Sequence, residues 1–77
     1  MIIKAEWPGY VMEVLVKPGQ DVEEDEPLFL METADNQHSS FYINSPEGGR
    51  VKEILVDEGD YMNEDDDMLT MGESDHE

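Results

Sequence analysis

Glu32, Asp35 and His38 follow one another at three-residue steps inside residues 31–40, METADNQHSS. Two carboxylates and an imidazole at that spacing could gather around a metal ion, because imidazole is a common ligand and titrates near neutrality. The neighbouring Asn36, Ser39 and Ser40 favour turns and bond their own backbone, so the stretch also reads as a solvated polar loop. The loop is the preferred reading. A small metal-binding module built on this hairpin stays as an alternative. His76 stands in the acidic stretch 73–77, farther from any such grouping.

Other chemistries find less support. The chain has no cysteine, hence no disulfide, thiolate metal site or thiol nucleophile. It has no phosphate-cradling glycine loop and no Ser-His-Asp arrangement, and no catalytic residue is assigned. The acidic clusters at 23–26 and 64–67 lack the alternating ligand positions and central glycine of a calcium loop. They read as solvated faces, with docking to a basic protein surface as their functional use. Trp7 and Tyr10 flank Pro8-Gly9 and are expected to fill the core or an edge; if exposed, they would anchor an interface. The amines are Lys4, Lys17 and Lys52. The first lies in or beside a strand, the second enters a turn and the third lies within a strand.

The charge balance is extreme: four Lys or Arg against twenty-one Asp or Glu, a formal net charge of −17. Such a surface repels nucleic-acid phosphates and anionic lipids and is drawn to basic protein surfaces, so larger protein subunits are the expected partners. No apolar run has the length of a membrane span, and no secretory leader is evident, so a cytoplasmic location is expected.

The elements that must position these residues come in two copies. Residues 9–31 and 49–71 share nine identities in twenty-three positions at an offset of forty, among them Gly9/Gly49, Val11/Val51, Gly19/Gly59 and Met31/Met71. Chance would give about two at ordinary residue usage. Each copy reads as a β-branched strand (11–16, 51–56), a glycine turn, a short apolar contact at Val22 or Met62, an acidic bend, and a return strand (28–30, 68–71). Residues 41–43 make a further strand. The three-residue step from Val11 to Val14 breaks alternation and predicts a bulge. Neither copy can bury a core alone. An all-β, pseudo-two-fold sandwich or flattened barrel follows, with stretch 31–40 joining the halves opposite the paired chain ends.

Gly9-x-Val11, Val14-x-Val16-x-x-Gly19-x-x-Val22, Leu28, Glu32-Thr33, and then Ser45-Pro46-x-x-Gly49-x-Val51-x-x-Ile54-x-Val56-x-x-Gly59-Asp60 resemble the biotinyl/lipoyl attachment domain family over about residues 3 to 71. The resemblance implies a flattened eight-stranded barrel with quasi-two-fold symmetry; the domain is expected to occupy residues 1–72, followed by a disordered acidic tail at 73–77. It also implies a lysine on the central hairpin, joined by an amide to biotin or lipoic acid, within Glu-Ala-Met-Lys-Met or Glu-Thr-Asp-Lys-Ala. Here Glu32-Thr33 is followed by Ala34-Asp35-Asn36. Counted forward from Glu32, the lysine position holds Asp35; counted back from Ser45-Pro46, it holds His38. The hairpin is about three residues longer than the family's, and no lysine occurs between Lys17 and Lys52.

The expected function is therefore a non-catalytic, unmodified subunit without a cofactor. It would dock in a multi-subunit carboxylase, decarboxylase or acyl-transfer complex, with Thr33, Ala34, Asp35, Asn36, Gln37, His38, Ser39 and Ser40 as the contact hairpin. The alternatives are a genuine biotin or lipoyl carrier modified at an atypical lysine, the metal-binding module, and a polyanionic mimic of nucleic acid.

Overall fold

The computed structural model describes residues 1–73. Beyond Glu73, the expected acidic tail and His76 lie outside the described residues. Eight strands follow in order: β1 (Ile2–Lys4), β2 (Gly9–Val14), β3 (Asp21–Val22), β4 (Pro27–Thr33), β5 (Ser40–Asn44), β6 (Gly49–Ile54), β7 (Tyr61–Met62) and β8 (Asp67–Gly72). All pair antiparallel in two four-stranded sheets, ordered β1-β8-β6-β3 and β5-β4-β2-β7. No strand of one sheet pairs with a strand of the other. The architecture is a flattened sandwich, not a closed barrel. There is no helix among the described residues.

The forty-residue repeat becomes a two-fold relation between these sheets. β5, β4, β2 and β7 of one correspond to β1, β8, β6 and β3 of the other. The sequence bulge is present in both copies, as register shifts between Val11 and Glu13 and between Val51 and Glu53. It lets Val11 and Val14, or Val51 and Ile54, turn toward one core while two residues between them face solvent. The strands stop at Val14 and Ile54, earlier than the sequence suggests, yet Val16 and Val56 remain buried.

Each half closes on the other. The Gly19 amide donates to the Val51 carbonyl at 2.8 Å and the Val51 amide to Gln20 at 2.9 Å; Gly59 and Val11, then Val11 and Asp60, repeat this at 2.7 and 2.8 Å. Asp25 and Asp65 both take a left-handed backbone, φ 69° and 71°, and their amides donate to Ser45 and Ala5 in the opposite half. This reciprocal exchange satisfies buried backbone groups that neither half could satisfy alone. The acidic bends match as 23–26 with 63–66: the Glu23 amide is accepted by the Glu26 carboxylate at 3.0 Å and the Asn63 amide by Asp66 at 2.8 Å.

Phe29, Leu28, Met31 and Val11 from one sheet meet Leu69, Met68, Met71 and Val51 from the other in a single buried cluster. Fully burying a side chain of this size contributes about 1.5–3 kcal/mol. Gly9 and Gly49 sit where adjacent strands come close: a Cβ at Gly9 would lie 2.5 Å from the Glu32 carbonyl oxygen, and at Gly49 2.6 Å from that of Gly72. Backbone crowding at β2/β4 and β6/β8 thus requires glycine.

Candidate functional site

Residues 34–39 connect β4 to β5. In the other half the corresponding place belongs to the chain ends, where the Met71 amide donates to Met1 at 2.8 Å. The central connector therefore projects at the end of the sandwich opposite the paired ends, as the repeat requires.

The hairpin is held by its own side chains. Its base is closed by the Thr33 amide donating to the Ser39 carbonyl at 2.8 Å. The Thr33 hydroxyl donates to Asp35 Oδ1 at 2.9 Å, and the Gln37 amide donates to the same oxygen at 3.0 Å. The Ser39 amide returns to Thr33 Oγ1 at 3.1 Å. Asp35 thus forms an Asx-turn, the local bonding that short polar side chains supply in loops. These donors, the Thr33 hydroxyl first and the Gln37 amide next, hold the exposed Asp35 carboxyl below its usual range.

His38 has a positive φ of 52° and an exposed ring, with Nδ1 3.9 Å from Glu32 Oε1. Asp35 is turned instead into its own loop. The structure does not bring Glu32, Asp35 and His38 around a common point, and no metal-sized cluster of three such groups occurs among the described residues. The tip of the turn is Asn36-Gln37, so Asp35 and His38 flank it on either side.

Trp7 is 61% exposed and lines a shallow groove with Pro8, Thr33, Ala34 and Asp35. Tyr10 is also exposed and makes an edge-to-face pair with Tyr61. Of the two placements expected for Trp7 and Tyr10, the core one fails: alternation along β2 turns Gly9 and Val11 inward and Tyr10 outward beside the edge strand β7, and Trp7 stands exposed ahead of that strand. Sequence reasoning also missed Thr33 as the clasp of the loop; the Thr33-x-Asp35 spacing was the available signal.

The lysines lie elsewhere. Lys4 is paired with Asp67 at 2.7 Å, and that hydrogen bond raises its pKa. Lys17 opens the turn at 17–20, where its amide is accepted by Gln20 Oε1 at 3.1 Å. Lys52 is the exposed bulge residue of β6, its side chain lying over Gly72.

A family model for biotin/lipoyl domains, described as "Biotin-requiring enzyme", matches residues 1–71. No curated protein matches the chain. Among solved structures, a single-chain, multi-domain long-chain acyl-CoA carboxylase is similar over 99% of this chain, with a TM-score of 0.85 and 21% identity. The urea carboxylase of Kluyveromyces lactis is similar over 94%, with a TM-score of 0.83 and 18% identity. The chain spans only 7% and 6% of those two proteins, and at such identities the likeness is one of fold. The lipoyl domain of the 2-oxoglutarate dehydrogenase complex of Azotobacter vinelandii matches in length as well. There the match covers 97% of this chain and 99% of that one, with a TM-score of 0.77 and 25% identity.

Proposed function

The chain belongs to the biotin/lipoyl family, and on that premise we propose that it is a non-catalytic, unmodified subunit. It docks within a larger enzyme complex of carboxylase, decarboxylase or acyl-transfer type. One observation carries this reading. At the two positions where an acceptor lysine would stand, the hairpin has Asp35 and His38, and Asp35 is committed to clasping the loop. An amide to biotin or lipoate needs a primary amine. Residues 33–40 offer hydroxyls, a carboxylate, two carboxamides and an imidazole, so they do not fit the prosthetic group.

What the hairpin keeps is shape. An internally bonded loop loses little entropy when it docks, and the exposed Trp7 beside it supplies the kind of large aromatic that anchors protein interfaces. The net charge of −17 favours basic partner surfaces and speeds encounter with them.

The test is co-isolation from the source cells, comparing the intact chain with a variant in which residues 34–39 are replaced by a two-residue turn. Loss of a specific subunit from the shortened variant is the expected result. An unchanged set of partners would remove the hairpin from the interface.

A further inference from the structure

The two outer faces of the sandwich have diverged where the fold would let them be alike. Directly opposed residues on antiparallel strands project to one face. On the β5-β4-β2-β7 sheet, Tyr10 opposes both Tyr61 and Glu32, while Leu30 opposes Glu13 and Tyr42. The symmetry-related positions on the other sheet carry Arg50 for Tyr10, Asp21 for Tyr61 and Thr70 for Leu30. Of the four basic residues, Lys4, Arg50 and Lys52 lie in that second sheet and Lys17 in a turn; β2, β4, β5 and β7 contain none. The first face is thus aromatic, acidic and free of Lys and Arg. Tyr10, Tyr42 and Tyr61 are 45%, 55% and 45% exposed there.

We propose that this face is a second docking surface, and that its occupant is an arginine-bearing segment of a partner protein. Tyr10 and Tyr61 stand with ring centroids 5.2 Å apart at 66°, so each ring is fixed by the other before anything binds. A guanidinium stacks on such rings and can pair at the same time with the carboxylate of Glu32, directly opposite Tyr10, while Glu13, opposite Leu30, extends the acidic face along the strand. Lysine, a compact and strongly hydrated charge, gains less from the rings. A second copy of this chain is disfavoured as occupant. Each copy carries −17, and its Arg50 and Lys4 already bond Asp21 and Asp67. The proposal shares with the docking function the premise of a protein partner but rests on the tyrosine face; it meets the hairpin only at its base, where Glu32 opposes Ser40, and separate tyrosine and hairpin variants tell the two apart.

The experiment titrates the 77-residue chain with a short peptide alternating arginine and glycine and with its lysine counterpart. It is run at about 0.15 M salt, where diffuse attraction between exposed charges is screened. Backbone and tyrosine-ring NMR shifts are followed. The expected result is arginine binding at least about threefold tighter than lysine, with the largest shifts at Tyr10, Leu30, Glu32, Tyr42 and Tyr61. The Tyr10→Thr/Tyr61→Thr variant should remove the difference between the peptides, Tyr10→Phe/Tyr61→Phe should keep it, and the hairpin variant Asp35→Ala should keep it too. Equal affinity for the two peptides overturns the proposal, as do shifts centred on the acidic bends. Concentration-dependent self-association through this face, seen by light scattering, would overturn it in favour of a second copy.

Discussion

The Thr33 hydroxyl and the Asp35 carboxylate are bonded to each other at 2.9 Å, two residues apart at the mouth of the central hairpin. The bond fixes a loop whose backbone carries a left-handed residue, His38, that is not glycine. Removing it should loosen the loop without disturbing the core. Asp35→Ala should raise amide exchange at Gln37 and Ser39 severalfold while leaving Phe29 and Met31 protected. Equal protection of Gln37 in wild type and variant would mean that the clasp does not order the loop.

The same carboxylate gives the hairpin a pH dependence. Its folded-state pKa is depressed, chiefly by the Thr33 hydroxyl. The ordering it supplies is therefore complete above the unfolded value of about 3.9 and is lost as pH falls through the lower folded value. Amide shifts of Gln37 should titrate below the ordinary aspartate range. A titration at or above that range would contradict the bonding described.

Gly9→Ala and Gly49→Ala should each destabilise the fold by about 1–3 kcal/mol, because the added methyl meets a carbonyl on the adjacent strand. The two losses should be similar, since the environments are related by the two-fold. Chemical denaturation measures both. A neutral result at either position would show that the strands can separate to admit a side chain.

Phe29→Ala should cost about 3–5 kcal/mol, the usual loss for emptying a fully buried aromatic site. In a domain this small that loss approaches the whole stability. A cooperative melt within a few degrees of wild type would contradict the single shared core.

Added salt should raise the melting temperature, because the net charge of −17 is borne on exposed side chains whose mutual repulsion is screened. A melting temperature that stays flat or falls between low and moderate salt would contradict the argument.

Much of the frame was legible in the sequence because it is written twice. The repeat, the bulge after Val11 and the turn glycines Gly19 and Gly59, with φ of 87° and 96°, all appear where the spacing put them. The two-residue strands at Val22 and Met62 were visible only as apolar contacts, since two residues carry no period. The exposure of Trp7 and Tyr10 was hidden by their type: an aromatic side chain carries no mark of whether it faces the core, and Tyr10 points outward only because its neighbours Gly9 and Val11 point in. The hairpin's location was readable from the symmetry. Its internal bonding was not, because a Thr and an Asp two residues apart signal a turn without saying whether their side chains meet.

On the proposed reading this chain carries no prosthetic group on any of its lysines, and the decisive check is mass spectrometry of the protein isolated from its source cells, intact and after digestion. The expected result is that the peptides bearing Lys4, Lys17 and Lys52 carry no added biotinyl or lipoyl mass, even when biotin or lipoate is supplied. A fraction heavier by one biotinyl or lipoyl group, located by fragmentation to Lys4, Lys17 or Lys52, would contradict it and make the chain a carrier.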